Sequence, residues 1–179
     1  MSEALVTHPL LTCSEALTFE QSFLGDDAEA EWQAMNEAGV GVADSLLRDM
    51  RELRTIPHRP RFLFLVGKGH NGGDALVAAK RLLRSIPTAR ASLWPVEPWE
   101  SCKPNVQRAR DELLELAAKR VEELEPISTL ASPENIEASL EQAVYGDDFH
   151  ACLDGLLGMQ FRPPVREPLS HLLGFLNDR

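Results

Sequence analysis

Between Arg61 and Leu83 the chain reads RFLFLVGKGHNGGDALVAAKRLL: an unbroken apolar run, four glycines within seven positions, then an amphipathic run. The first run, apolar at every position from Phe62 to Val66, suits a strand covered on both faces, as in a parallel sheet. The amphipathic run predicts a helix from about Gly73 to Arg84 that buries Leu76, Val77 and Leu83. Upstream, Ser14 to Leu24 has helical composition. Trp32, Met35, Gly39, Val42, Leu46, Met50 and Leu53 then recur at three- and four-residue steps, as on one long helix. Gly39 and Gly41 lower its propensity, which predicts a close neighbour on that side, and the prolines of IPHRP end it.

Downstream, strand and helix patterns alternate. ARASLWPV reads as a second strand, and CKPNVQRARDELLELAAKR as a helix with Val106, Ala109, Leu113 and Leu116 on its apolar face. A weak third strand around Arg120 to Leu124 precedes a helix capped by Ser132, with Pro133 at its first position. A fourth strand, Phe149 to Leu153, ends at Asp154, and a last helix begins near Arg166. The alternation predicts an α/β domain with a mainly parallel sheet and right-handed crossovers.

At 179 residues the chain is the size of one domain, 1–179. A net charge of −10 argues against nucleic acid as a partner, because phosphate backbones reward Lys and Arg. Small anionic ligands stay open, since backbone N–H groups hold them without side-chain charge. Cys13, Cys102 and Cys152 show no metal-ligand spacing, the N-terminus lacks a secretory pattern, and FLFLVG is too short to cross a bilayer. A soluble, cytoplasmic protein without a membrane partner is expected.

The glycine turn admits two readings. GKGHNG fits G-x-G-x-x-G between a strand and a helix, but the second strand runs into LWPVEP, with Glu97 after a proline instead of an acidic residue at the strand tip. No Lys-Ser or Lys-Thr follows, so it is not a P-loop. Either the turn is merely tight, or its backbone approaches a ligand that a Cβ would block. On the second reading, valine at Gly72 would block the ligand and spare the fold. Asn71 and Asp74 bring side-chain oxygens to the helix N-terminus, and LDGLLG stands at the equivalent end of the fourth strand. With strand four beside strand one, Asp154 faces the glycine turn across the crevice, a place for a phosphate-bearing ligand and a hard cation.

LVGKGHNGGDALVAAKRL resembles the signature of the NAD(P)HX epimerase family, the YjeF-type N-terminal domain, which reads close to G-x-G-N-N-G-G-D-G here. LDGLLGMQFRPPVREPLSHLL is similar to its second motif, near D-A-L-L-G-T-G-L followed by R-E-P; LTCSEALTFEQ and QAMNEAGVGVADSLL resemble its N-terminal helices. The resemblance implies a Rossmann-like three-layer α/β/α domain, a homodimer, and interconversion of the R and S epimers of hydrated NADH and NADPH. The S form is the substrate of a partner ADP/ATP-dependent NAD(P)HX dehydratase. It further implies that His70, Asn71, Gly72, Gly73 and Asp74 line the substrate, with a second substrate loop formed by Gly158, Met159, Gln160, Phe161, Arg162, Pro163 and Pro164. Asn71 and Asp154 would ligate a potassium ion, and Asp154 is the family's candidate for moving a proton at the carbinolamine carbon.

The sequence departs from the family at His70 (usually asparagine), at Ala75 (usually glycine), and at Gly-Met-Gln in place of G-T-G. The family continues with a strand and a V-D-I-P-S-G-type segment that has no match here, so the chain reads as a domain without its C-terminal part. Lys103, after strand two, reads as a solvated lysine. Two functions remain open: an epimerase domain, alone or within a bifunctional epimerase/dehydratase, and a catalytically inactive ligand- or protein-binding module like the related domain of mRNA-decapping enhancers.

Overall fold

A computed structural model describes residues 10–25, 27–53, 55–130, 132–144, 149–158 and 161–177. Its helices are α1 Cys13–Leu24, α2 Ala28–Leu53, α3 His70–Ser85, α4 Pro104–Ala117, α5 Pro133–Val144 and α6 Leu169–Asn177. Its strands are β1 Arg61–Val66, β2 Arg90–Pro95, β3 Val121–Glu123 and β4 Ala151–Gly155. All pairings are parallel, in the order β3-β2-β1-β4. β1 thus has a strand on each side, and its apolar run follows from that position. Phe62, Phe64 and Val66 enter the core shared with α2, α3 and α4; Leu63 and Leu65 enter the opposite core with Trp94, Ile136, Leu140 and Leu172. The domain is a Rossmann-like α/β/α sandwich with β4 at the edge among the described strands.

Several sequence expectations shift in detail. α3 begins at His70, not Gly73, so the glycine pair lies inside its first turn, where the Gly73 N–H donates to the Gly69 carbonyl. β4 extends to Gly155 and takes Asp154 into the strand, beside Leu65. α6 starts at Leu169 instead of near Arg166; Pro168 has no N–H to give a preceding turn. On α4, Leu116 is 37% exposed and Ala117 takes its place in the core.

The seam of α2 is set by how closely α3 approaches. Trp32, Met35, Gly39, Ala43, Leu47 and Met50 are buried, whereas Val42 is 48% and Leu53 80% exposed. A Cβ on Gly39 would stand 2.6 Å from both the Asp74 carbonyl oxygen and the Val77 Cβ. Only small residues fit there, so the bulkier Val42 turns outward. Gly41 has no neighbour within reach of an added Cβ, so the expectation of a close contact holds for Gly39 and fails for Gly41. Gly41→Ala is therefore expected to stabilise the domain by about 0.5–1 kcal/mol through helix propensity. Gly39→Ala should instead destabilise it by about 1–3 kcal/mol through overpacking. Urea denaturation of the two variants checks this, and changes of the same sign would contradict it.

Candidate functional site

The site lies at the carboxyl ends of β1 and β4, where two turns are knitted together by backbone. The Gly67 N–H donates to the Gly155 carbonyl at 3.0 Å. An added Cβ at Gly72 would overlap the Gly67 carbonyl oxygen, and one at Gly155 would come within 2.7 Å of the Asn71 carbonyl oxygen. Gly72 and Gly73 are buried. The reading of Gly72 as a residue bare toward a ligand is thus corrected: it is bare toward the protein's own turn, and valine there would break the turn. The position with an open approach is Gly69, where a Cβ would meet nothing within 4 Å.

Above the turns is a cavity of about 370 Å³. Gly69, His70, Asn71 and Asp74 line it from α3 and its cap, Gly155 to Gly158 from the end of β4, and Phe161 from the loop beyond. Leu17 and Glu20 of α1, with Lys68 and Lys103, complete the wall. The Asn71 Nδ2 donates to the Leu157 carbonyl at 2.6 Å, tying the first turn to the second. That bond directs Asn71 Oδ1 toward Gly158, 3.6 Å from where a Cβ would be. Asp74 is half-buried; burial, with the charge of Glu20 added, raises its carboxyl to about 6.

Asp154 borders a smaller adjoining cavity, about 250 Å³, together with Asn71, Asp74, Ala75, Leu153 and Val42. Its Oδ1 accepts the Leu156 N–H at 2.9 Å. The two expected ligand-bearing turns therefore lie on one rim of the sheet, and Asn71 borders both cavities. Among the described residues no group of three or more His, Cys, Asp and Glu side chains surrounds a common point. Of the second expected substrate loop, Gly158 and Phe161 line the main cavity; Arg162 and Pro164 line a separate groove with Val96 and Ser128. Pro163 lines neither of these two, and Met159 and Gln160 lie outside the described residues.

The structure adds residues that the motifs do not reveal. Glu20 comes from α1, far away in sequence. Lys103, expected to be merely solvated, is exposed yet lines the cavity, with Nζ 2.8 Å from His70 Nε2. His70 also lies 2.6 Å from Glu31 Oε1 of α2. Lys68 sits within the glycine turn itself, and its place in G-K-G was the one available signal.

The family model described as "YjeF-related protein N-terminus" matches residues 31–179. A protein of Candida albicans named NAD(P)H-hydrate epimerase is 26% identical over 176 residues, covering 93% of this chain and 61% of its own length. One of the same name from Roseobacter litoralis is 26% identical over 156 residues, covering 87% and 66%. The chain thus spans about three-fifths of the length of the first of these relatives. The crystal structure of yeast ynu0, YNL200c, superposes with a TM-score of 0.71 at 19% identity, over 96% of this chain and 65% of that one, which shows a shared fold. On the match over most of its length, this chain belongs to the family of YjeF-related protein N-terminal domains.

Proposed function

We propose that the domain interconverts the R and S epimers of hydrated NADH and NADPH, within an epimerase or a bifunctional epimerase/dehydratase. The observation that carries this reading is that both motif turns close the main cavity together, in a family whose similar members are named NAD(P)H-hydrate epimerase. A cavity of about 370 Å³ takes part of a dinucleotide, and the remainder would extend along its open side. In the cell, the product would pass to an ADP/ATP-dependent NAD(P)HX dehydratase, and the protein would act as a homodimer in the cytoplasm.

Epimerisation at a carbinolamine carbon needs a group that takes the hydroxyl proton as the C–N bond opens to an aldehyde with its electron pair on nitrogen, and that returns the proton to oxygen when nitrogen re-attacks the other face of the carbonyl. We assign this to Asp154, which borders the smaller adjoining cavity beside Asn71 and Asp74 and whose second oxygen is not used by the Leu156 N–H bond. Asp74 carries a proton up to about pH 6 and below that can donate to a substrate oxygen. The donor set near Asn71 suits a potassium ion: the carboxamide oxygen, left over once Nδ2 has bonded Leu157, and a carboxylate oxygen of Asp154 are hard ligands bordering one cavity. Such an ion would supply positive charge that fixes both side chains and the substrate oxygen in place.

Asp154→Asn is expected to lower kcat for loss of the R epimer by about 10²–10⁴-fold, with KM little changed. Unaltered turnover would remove Asp154 from the reaction. Gly69→Val should place methyl groups in the cavity, raising KM while leaving the thermal midpoint unchanged; a lowered midpoint with normal KM would contradict the open approach.

The raised carboxyl of Asp74 has a consequence for stability. Its folded-state value of about 6 lies above the ordinary 3.8, so the folded protein binds this proton more tightly than the unfolded chain. The penalty for ionising it is absent below about pH 4, grows as the pH rises, and is complete above about pH 6. Asp74→Asn should therefore raise the thermal midpoint at pH 8 and change it little at pH 4. Equal shifts at the two pH values would contradict this.

A further inference from the structure

The main cavity has two kinds of charge. Glu20 and Asp74 are close enough that the first raises the carboxyl of the second. Lys68 and Lys103 are paired by backbone: the Lys103 N–H donates to the Lys68 carbonyl at 3.0 Å, joining the turn after β1 to the cap of α4. A ligand anionic at one end and neutral at the other meets attraction at the lysines and repulsion at the carboxylates. It is therefore oriented before any specific contact forms.

Lys103 is also held in an exchangeable way. His70 Nε2 lies 2.8 Å from Lys103 Nζ and 2.6 Å from Glu31 Oε1. One ring nitrogen offers either a lone pair or an N–H, so accepting from Lys103 and donating to Glu31 are alternatives. The other Glu31 oxygen accepts from Asn105 Nδ2 at 2.8 Å, which fixes the carboxylate in place. When an anion captures the Lys103 ammonium, the tautomer of His70 with its proton on Nε2 can donate to Glu31 instead.

We propose that Lys68 and Lys103 form the subsite for a phosphate group of the nucleotide, with His70 and Glu31 as the positioning pair that holds Lys103 over it. The proposal rests on the nucleotide-hydrate reading above and deepens it. The phosphate lies at the lysine corner, and the uncharged hydrated ring points toward Asp74 and the β4 turn. His70, a departure from the family's usual residue, then serves as a support for Lys103 particular to this chain.

The test is calorimetric titration of the 179-residue protein with ADP-ribose, with ADP-ribose 2′-phosphate, and with adenosine as the uncharged control. Lys68→Ala and Lys103→Ala should each weaken the phosphate-bearing probes about tenfold, the loss of one charge-assisted hydrogen bond, and leave adenosine unaffected. Lys103→Arg should retain most of the affinity. His70→Ala should weaken binding about threefold, while His70→Gln, which keeps an acceptor for Lys103, should not. Equal losses for both probes assign the site to the diphosphate, and a loss confined to the second assigns it to the 2′-phosphate. Unchanged affinity in the Lys68→Ala/Lys103→Ala double variant overturns the proposal, as does a wild-type protein that binds neither probe at millimolar concentration. A protein that binds through the lysines yet turns over neither hydrate keeps the subsite and loses the epimerase reading. One that turns over hydrate with the same KM in the double variant loses the subsite alone.

Discussion

Close backbone contact between the turn after β1 and the turn after β4 is the constraint on which the site depends. Gly67 bonds the Gly155 carbonyl, Gly72 lies where any Cβ would strike Gly67, and Gly155 lies against the Asn71 carbonyl. Three glycines thus let two strand ends meet without intervening side chains. Asn71 can then reach the Leu157 carbonyl, and the walls of one cavity come from both turns. The glycine signature therefore serves first to join the two turns. Among the described glycines of the two turns, Gly69, and Gly158 beside Asn71, are the ones with room for a Cβ on their open side.

The same constraint runs outward into the helical layer. α3 starts inside the glycine turn, so its first turn is pressed against α2, and Gly39 meets the Asp74 carbonyl. The seam of α2 is fixed by that approach, and with it the position of Glu31 near His70. α1 buries no residue of its own, and Phe19 and Phe23 stack in the open. Its Leu17 and Glu20 nevertheless close one side of the cavity.

Charge within the site is arranged against the balance of the chain. The protein carries a net charge of −10, yet Lys68 and Lys103 line the same cavity as the carboxylates of Glu20 and Asp74. Backbone geometry makes this possible, because the loops after β1 and β2 are hydrogen-bonded to each other through Lys68 and Lys103. The net negative charge argues against a long nucleic-acid track, but it does not exclude a local anion site.

The sequence by itself determined the fold class, because its signals are local. The apolar run of β1, the periodicity of α3 and α4, and the prolines after α2 report burial and chain direction at their own positions. The two motif turns were legible for the same reason, as was their shared rim once β1 and β4 were placed side by side. What the tertiary structure decided involves residues distant in sequence. Val42 and Leu53 read as core from their spacing, but α3 approaches over Gly39 and Ala43 and turns Val42 outward, while Leu53 is left exposed. Lys103 read as a solvated lysine because nothing beside it in sequence marks the cavity; His70 reaches it from α3, and Glu31 of α2 in turn meets His70. Gly72 read as bare toward a ligand, since no sequence pattern distinguishes a missing side chain that admits a substrate from one that admits the chain itself. That distinction depends on where the Gly67 carbonyl points, and only the folded backbone fixes it.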